Sequence, residues 1–403
     1  MEEGKTYRLE DLTIDGKGHY GIGAPAVDFD ENKFTYLRIT DINDDGSINY
    51  SGLKSVDDPE AGKYLLKEGD IVFARTGNST GRSYYYEPSD GQFVFAGFLI
   101  KFSLDPVKVN PRYLKYYTHS QAYYEWVKSF DTGATRGNIN AQTYGAMEIS
   151  LPPRTVQDRL VEVLSSIDDK IKLNNRINHN LEEQARSLYK SWFVDFEPFK
   201  DGKFVDSELG MIPEGWHIGT LSEIADIAMG QSPSGSSFNE DGHGIVFYQG
   251  RTEFGFRFPS IKLFTTEPTR FAEPHSVLMS VRAPVGDINV ALDRCCIGRG
   301  LAAITAKDEA FSFVLYTLKG KSSELDLYNG EGTVFGSINR KDLEGLSVLI
   351  PPMSIIQQFN DCIRPIDESI EIACKEIVNL SFSRDSLLPR LMSGQLSFDE
   401  CDC

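Results

Sequence analysis

The strongest constraint on this chain is an internal duplication, in which two copies of one unit follow each other at a displacement of 199 residues. Residues 137–140 (Gly-Asn-Ile-Asn) match residues 336–339 (Gly-Ser-Ile-Asn), and no gap is needed between segments 133–188 and 332–387. Solenoid proteins repeat much shorter units of about 20 to 50 residues. The sequence therefore predicts two related globular units rather than a repeat array.

The segments that match best predict two long helices. After Pro152-Pro153 and again after Pro351-Pro352, apolar residues recur in alternating steps of four and three, which is the a/d pattern of a coiled coil. Proline is tolerated in the first turn of a helix, so each Pro-Pro marks a start. Each helix of about 40 residues would be roughly 60 Å long. The predicted seam residues are Leu160, Leu164, Ile167, Ile171, Leu181, Leu188, Phe359, Ile363, Ile366, Ile370, Ile377, Leu380 and Leu387.

Two apolar stripes of equal length and register predict that the helices pair with each other, antiparallel, and hold two variable domains apart. The polar seam residues Asn174, Asn178 and Arg384 would then fix the register, as buried polar residues do in other coiled coils. The alternative is that each helix packs separately on its own domain.

The amino-terminal parts of the two copies have diverged, although both predict the same kind of domain. Residues 69–74 align with residues 274–279, at a displacement of 205. Short β-branched and aromatic runs alternate with Gly, Asn, Asp and Pro clusters, as in strands and hairpins, and helical patterns occupy 111–129 and 311–326. A constant scaffold with two diverged domains fits two different specificities.

We therefore predict an α+β fold, with two domains of mixed α/β structure separated by two long helices that form an antiparallel coiled coil. The predicted segments are a first domain at 1–152, a helix at 153–196, a linker at 197–212, a second domain at 213–351, a second helix at 352–396 and a flexible tail at 397–403.

Composition excludes several classes of protein. Hydrophobic residues make up 40% and charged residues 25%, which is ordinary for a chain that buries a core. The sequence contains no run of 18 apolar residues, so it predicts no membrane-spanning helix, and the first residues lack the pattern of a secretion signal. The six cysteines form no C-x-x-C pair, so we expect free thiols in a reducing cytoplasm and no metal site.

Several segments together resemble a known family, the specificity subunits of type I restriction–modification systems. These segments are 151–153 (LPP), 167–171 (IDDKI), 174–178 (NNRIN), 188–196 (LYKSWFVDF), 212–216 (IPEGW) and 297–304 (IGRGLAAI). The resemblance covers essentially the whole chain. It implies two target recognition domains, each reading one half of a split double-stranded DNA sequence, with the helices as spacer and assembly platform.

The resemblance also implies partners and a division of labour. The partners would be two methyltransferase (modification) subunits and motor–nuclease restriction subunits, which together form an adenine-specific methyltransferase and ATP-dependent endonuclease. S-adenosylmethionine, ATP and magnesium would be bound by those partners and not by this chain. The chain itself carries neither an Asn-Pro-Pro-Tyr motif nor a Walker G-x-x-x-x-G-K-[ST] motif, which agrees with a non-catalytic subunit.

The net charge of −18 first argues against nucleic acid, because phosphate binding usually leaves a basic footprint. Residues 1–152 carry 16 basic against 22 acidic side chains, and residues 213–351 carry 12 against 17. Neither domain is basic, so we expect weak DNA binding by the chain alone, with most phosphate contacts supplied by the partners.

Base readout needs arginine, asparagine, glutamine, serine or threonine on loops that can approach a DNA groove. In the first domain two glycine-bounded loops, 75–82 and 133–140, have this composition, and 280–286 and 330–339 correspond to them in the second. Asn140 and Asn339 occur in both copies, which favours helix capping instead, and core packing is the favoured use of Tyr84-Tyr85-Tyr86. The DNA-contact candidates are Arg75, Thr76, Asn78, Ser79, Arg82, Arg136, Asn138, Gln231, Arg251, Arg282, Ser337, Arg340 and Lys341.

Two other functions stay open at this point. The helix pair could serve a bare interaction scaffold whose globular domains bind protein, or the chain could serve a methylation-only or otherwise divergent defence system. DNA binding by the purified complex distinguishes the first alternative, and neighbouring genes distinguish the second.

Overall fold

The computed structural model describes residues 5–130, 137–208, 210–330 and 336–396. The chain divides into two compact units, the first formed by 1–170 with 380–403 and the second by 171–379. Each unit therefore contains one mixed domain and a part of both long helices. The predicted tail at 397–403 lies outside the described residues.

The first unit is built from short strands and three short helices. The strands are β1 Lys5–Arg8, β2 His19–Tyr20, β3 Ala26–Val27, β4 Phe34–Leu37, β5 Lys54–Val56, β6 Asp70–Ala74, β7 Ser83–Tyr85, β8 Phe93–Phe95, β9 Leu99–Ser103 and β10 Glu148–Leu151. The helices are α1 Pro111–Tyr117, α2 Gln121–Lys128 and α3 Ala141–Gly145.

Two four-stranded sheets and a strand pair organise this unit. The sheets have the orders β2-β9-β6-β7 and β3-β5-β4-β8, and β1 pairs antiparallel with β10. The core that the first sheet forms with the helices is aromatic: Phe73 on β6 stacks on Tyr144 of α3 at 4.8 Å, and both side chains are fully buried. Tyr84, Tyr85 and Tyr86 are buried as well, so the prediction of core packing for this run is confirmed.

The long helices are α4 Arg154–Phe193 and α9 Met353–Met392, each of 40 residues. Between them lie helices α5 Leu221–Ile224, α6 Phe311–Gly320, α7 Ser322–Leu325 and α8 Arg340–Glu344. The strands are β11 Phe204–Ser207, β12 Gly210–Pro213, β13 His217–Thr220, β14 Ala225–Met229, β15 Phe238–Asn239, β16 Ile245–Tyr248, β17 Phe264–Thr265, β18 Phe271–Ala272, β19 Val277–Ser280, β20 Ile288–Val290, β21 Cys295–Ile297, β22 Leu301–Ala306 and β23 Ser347–Ile350.

The second unit repeats the connectivity of the first. Its sheets have the orders β14-β22-β19-β20 and β15-β17-β16-β21-β18, and β13 pairs antiparallel with β23. In both units the second sheet contains one parallel pair, β4 with β8 and β16 with β21. The fold class and the tandem duplication predicted from the sequence are thus confirmed.

The alignment of the diverged parts needs a correction of one residue. Ala74 pairs with Leu99 in the first unit, and Ser280 pairs with Leu301 in the second. Ser280 is therefore the counterpart of Ala74, whereas the sequence alignment placed Met279 there. The second copy has one residue fewer in the turn that follows, so the displacement is 206 at Ala74 and Ser280 and becomes 205 at Gly81 and Gly286.

The two long helices pair antiparallel within each unit. In the second unit the side-chain amide of Asn178 donates to Cys374 Sγ at 3.4 Å, and that of Asn174 donates to Glu376 at 2.7 Å. The partner number rises along α9 as the number on α4 falls, which is the antiparallel sense. In the first unit Leu160 and Leu164 share a core with Leu388 and Leu391.

Most predicted seam residues lie on this inner face. Leu160, Leu164, Phe359, Ile363 and Ile370 are buried, and Ile167, Ile171, Leu181, Ile366, Ile377, Leu380 and Leu387 are half-buried. Leu188 was predicted there wrongly, since 36% of it is exposed. An α-helix has 3.6 residues per turn, so the inner face drifts away from a strict seven-residue repeat. The stripe continues through Ala185 and Tyr189 instead.

The predicted linker is more structured than its Gly and Pro content suggested. Strands β11 and β12 form an antiparallel hairpin within it. Phe199 packs its ring on Trp216 with the centroids 5.0 Å apart, and Trp216 is buried in the core of the second unit. The four cysteines in the described part of the chain are free thiols, and no helix described there is long and apolar enough to cross a membrane.

Candidate nucleic-acid interface

The first domain brings two of the predicted loops together at the end of its central strand β6. Arg75 follows this strand directly, and its carbonyl accepts a hydrogen bond from the Ile139 amide at 3.0 Å. The Thr80 hydroxyl donates to the Gly137 carbonyl at 2.9 Å. Loops 75–80 and 137–140, about 60 residues apart in the sequence, are therefore neighbours on one surface.

The candidate residues of these loops differ in accessibility. Asn78 and Asn138 are exposed, Thr76 is half-buried, and Ser79 is buried. Arg82 is already paired, because its Nε donates to Asp44 at 2.6 Å and its Nη1 to the Ile42 carbonyl. Arg136 lies outside the described residues.

Arg75 stands apart from the other arginines of the interface. Its guanidinium lies over the ring of Tyr20 at 5.1 Å and over that of Phe98 at 6.0 Å. The Nε atom is enclosed and has no hydrogen-bond partner in the part of the chain that the structure describes. Aromatic faces hold a guanidinium by electrostatic attraction without consuming its N–H donors.

The second domain gathers four predicted segments around the turn at 298–300. The Gln231 amide donates to the Ile297 carbonyl at 3.0 Å, and the Gly298 amide donates to Tyr248 just before the segment 249–252. The Val281 amide donates to the Gly300 carbonyl at 2.9 Å. Segments 231–234, 249–252 and 280–286 therefore meet here.

The fourth segment joins through loop 336–339. The Ile338 amide donates to the Val281 carbonyl at 3.1 Å, which is the same bond that Ile139 makes to Arg75 in the first domain. The two interfaces are thus built alike, but Val281 replaces Arg75. Arg282 forms a backbone bridge with Ser337 one position further on.

The DNA-contact candidates of the second domain also differ in whether their side chains already pair with a carboxylate. Arg251 pairs with Asp287, and Arg340 pairs with Glu344 at 2.7 Å. Gln231, Arg282, Ser337 and Lys341 are exposed. No observation here tests whether any of these residues contacts DNA, so all of them stay predictions.

Asn140 and Asn339 have a structural role. Each is an N-cap whose side-chain oxygen accepts a backbone N–H two or three positions into the following helix, at Thr143 for α3 and at Asp342 for α8. The expectation of capping is confirmed.

Sequence reasoning missed Tyr20, Phe98 and Arg299 as members of these surfaces. Tyr20 ends strand β2 and Phe98 lies in the turn before β9, and a close glycine contact joins these segments: a Cβ on Gly21 would lie 2.2 Å from the Phe95 carbonyl oxygen. Arg299 is exposed at the turn between β21 and β22. The glycines around 16–23 and 298–300 were the available signal, since a close backbone approach requires glycine.

A buried ion network ties the helix pair to the second domain. Arg257 is 2% exposed, and its guanidinium donates to Asp367 on α9 at 2.8 Å, to Glu182 on α4 and to the Tyr316 hydroxyl at 2.9 Å. Lys319 on α6 donates to Glu182 as well. Burial alone would raise the pKa of Glu182, but the charges of Arg257 and Lys319 outweigh it and hold that pKa at about 2.

The first unit has a simpler version of this network. Asp168 on α4, the counterpart of Asp367, accepts from Lys115 at 2.8 Å, from the Tyr116 hydroxyl at 3.0 Å and from Arg384 on α9 at 3.2 Å. Burial raises the pKa of Asp168, but Lys115 and Arg384 shift it below its usual value overall. In the second unit the Tyr316 hydroxyl likewise donates to Asp367 at 3.1 Å, so a carboxylate that accepts a tyrosine hydroxyl at this helix position is common to both copies.

These features define a duplicated protein with two long paired helices and two domains. Each domain has one surface built from loops, and the two surfaces share a backbone architecture but differ in their side chains. The model of the family described as type I restriction modification DNA specificity domain matches residues 1–183 and 213–380. The chain therefore belongs to the type I restriction–modification specificity subunits, and the two matched segments are its two specificity domains.

Individual relatives agree with this assignment. The chain is 31% identical over 380 residues to a Methanocaldococcus jannaschii protein named as the MjaX specificity subunit, covering 91% of this chain and 88% of that one. It is 28% identical over 306 residues to the MjaIX specificity subunit of the same organism, covering 72% and 69%. The crystal structure of a type I S subunit from M. genitalium has the same fold, with a TM-score of 0.58 at 16% identity over 96% of this chain and 95% of that chain.

Proposed function

We propose that the chain is a non-catalytic, sequence-reading subunit in which each domain binds one half of a bipartite double-stranded DNA target. The observation that supports this most is the loop pair that each domain places after its central strand, at 75–80 with 137–140 and at 280–286 with 336–339. Both surfaces have one backbone design and different side chains, which is what two different half-sites require. The helix pair then serves as spacer and assembly platform.

The methyltransferase and restriction partners supply the chemistry in this proposal. Two methyltransferase subunits bind S-adenosylmethionine and methylate adenine, and the motor–nuclease subunits use ATP and magnesium. In the described residues no group of three His, Cys, Asp or Glu side chains is arranged to hold a metal ion. The free thiols support a reducing, cytoplasmic location.

Exchange of one domain tests the proposed function directly. We expect that replacing residues 1–152 with the corresponding domain of a specificity subunit of known target changes one half of the methylated motif and leaves the other half unchanged. Sequencing of methylated bases in cells that express the chain with its methyltransferase subunits measures this. A change in both halves, or no methylated motif at all, would contradict it. A bare scaffold predicts the second outcome.

Apolar side chains that stay exposed on the helix pair support a protein partner there. Leu173 and Ile177 lie one turn apart on α4 and are 47% and 39% exposed. With a net charge of −18, the chain is unsuited to bind DNA phosphates without help. We therefore place a methyltransferase contact at this part of α4.

Partner dependence is the second testable consequence. We expect DNA binding by the chain alone in the micromolar range or weaker, and roughly nanomolar binding to the target once methyltransferase subunits are present. Leu173→Glu with Ile177→Glu should prevent this gain, because two carboxylates would have to be buried in an apolar contact. Fluorescence anisotropy at two salt concentrations measures both effects.

The matched control for charge is Gln184→Glu with Ser187→Glu, which adds the same two negative charges at exposed positions on α4. This control should keep the gain. Tight, salt-resistant binding by the chain alone would refute the dependence on partners, and an equal loss in both double variants would refute the contact at Leu173 and Ile177.

A further inference from the structure

We propose that Arg75 reads a guanine in the half-site of the first domain, and that Tyr20 and Phe98 hold its guanidinium in position for this. This inference rests on the proposed function and adds to it one specificity-determining residue and the base that it reads. It starts from an arginine in the loop pair that has no ionic partner among the residues that the structure describes.

The backbone of Arg75 is fixed on both sides. Its amide donates to the Phe98 carbonyl at 3.1 Å, and its carbonyl accepts from the Ile139 amide at 3.0 Å. Tyr20 is fixed as well, because it pairs with Ile100 in β9 and its hydroxyl accepts from the Ala141 amide at 3.1 Å. The cation and the ring beneath it are therefore held before any ligand arrives.

The side chain of Arg75 differs from the arginines that serve the fold. Arg82, Arg251 and Arg340 each donate to a carboxylate. The guanidinium of Arg75 instead lies over two aromatic rings, and its Nε is enclosed without an acceptor among the described residues. With Nε enclosed, the Nη edge is the part left to face a ligand.

The surroundings match a base edge better than a phosphate. Tyr20 and Phe98 are 43% and 57% exposed, so the two rings give the cation an apolar, accessible frame. Arginine pairs bidentately with the O6 and N7 acceptors of guanine in the major groove, and this is the commonest specific contact to DNA. An arginine held rigidly by stacking loses less conformational entropy when it makes such a pair.

The second domain provides an internal contrast. Val281 occupies the position of Arg75, and Gly300 that of Phe98, because the Val281 amide donates to the Gly300 carbonyl just as the Arg75 amide donates to the Phe98 carbonyl. The second half-site is therefore not read by an arginine at this position. The contrast agrees with two domains that share a scaffold and differ in the base that they select.

The test uses the complex of the chain with its methyltransferase subunits, and duplexes of its methylated target in which single guanines are replaced by 7-deazaguanine. We expect one replacement in the first domain's half-site to weaken binding by the wild type roughly 5- to 150-fold. Arg75→Ala should bind the normal and the substituted duplex equally, and its methylated motif should relax at that one base pair. Arg8→Ala, which removes an exposed arginine of the same domain, should respond like the wild type.

Three outcomes would overturn the assignment while the proposed function stands. The first is a half-site without guanine, and the second is a wild-type complex whose affinity is unchanged by every 7-deazaguanine. The third is an Arg75→Ala complex that binds every duplex more weakly than the wild type but still discriminates against the 7-deazaguanine duplex as the wild type does. The last outcome would identify a phosphate contact. If the wild-type complex has no bipartite preference at all, the proposed function fails as well.

Discussion

Replacing Arg257 with methionine should lower the free energy of unfolding of the second unit by about 3 to 5 kcal/mol. The substitution removes the cation that pairs with Asp367 and leaves Glu182 with Lys319 in place of two buried cations, where the two carboxylate side chains are only 11% and 8% exposed. Methionine fills a similar volume, so the loss reports uncompensated charge rather than a cavity. Urea unfolding at neutral pH measures it.

The control is Arg294→Met. Arg294 pairs with Glu273 at 3.1 Å, but both side chains are 55% exposed. An exposed ion pair contributes about 0 to 1 kcal/mol, so this variant should unfold almost like the wild type. If the two variants lose equal stability, the network around Arg257 does not anchor the helices to the second domain.

The acid dependence of the same pair of proteins gives an independent check. The pKa of Glu182 is held at about 2 in the folded protein, below its ordinary value of 4.5. The folded state therefore binds its proton less readily than the unfolded state, so this contribution to stability is present above pH 4.5 and is lost as the pH falls towards 2. Arg257→Met removes the strongest attraction on the Glu182 carboxylate. The difference in free energy of unfolding between wild type and variant should therefore become smaller as the pH falls from 4.5 towards 2.

The sequence predicts the framework of this molecule well because the framework depends on periodic patterns. The duplication, the length of the two helices and the caps at Asn140 and Asn339 all follow from spacing along the chain. Leu188 fails for a related reason: a seven-residue repeat describes a coiled coil, and beyond Ala185 helix α4 packs on the domain through Tyr189, whose hydroxyl donates to Thr317.

The side-chain contacts between segments that are distant in the sequence are the part that spacing cannot predict. Arg257 reaches Glu182 and Asp367, which are 75 and 110 residues away in sequence, and nothing local distinguishes it from a solvated loop arginine. The same holds for Arg75, whose guanidinium lies over Tyr20 at the end of β2 and Phe98 in the turn before β9. Such residues become visible only when the topology brings distant segments together.

Replacing Phe359 with alanine should also destabilise the second unit by about 3 to 5 kcal/mol. Phe359 is fully buried, and its ring lies 4.9 Å from that of Phe193 and 5.7 Å from that of Trp192, both on the partner helix α4. Truncation removes a large apolar side chain and leaves a cavity between helices whose backbones cannot close around it. Thermal and urea unfolding of the full chain measure the loss.

Phe382→Ala provides the comparison, since it deletes the same atoms from the same helix at a position that is 74% exposed. This variant should change the free energy of unfolding by no more than about 0.5 kcal/mol. A much larger loss in free energy of unfolding for Phe359→Ala than for Phe382→Ala would show that the aromatic cluster against α4 stabilises the helix pair. If both variants lose little, the helices pair more weakly than their burial indicates, and the spacing of the two half-sites must then depend on the bound partners.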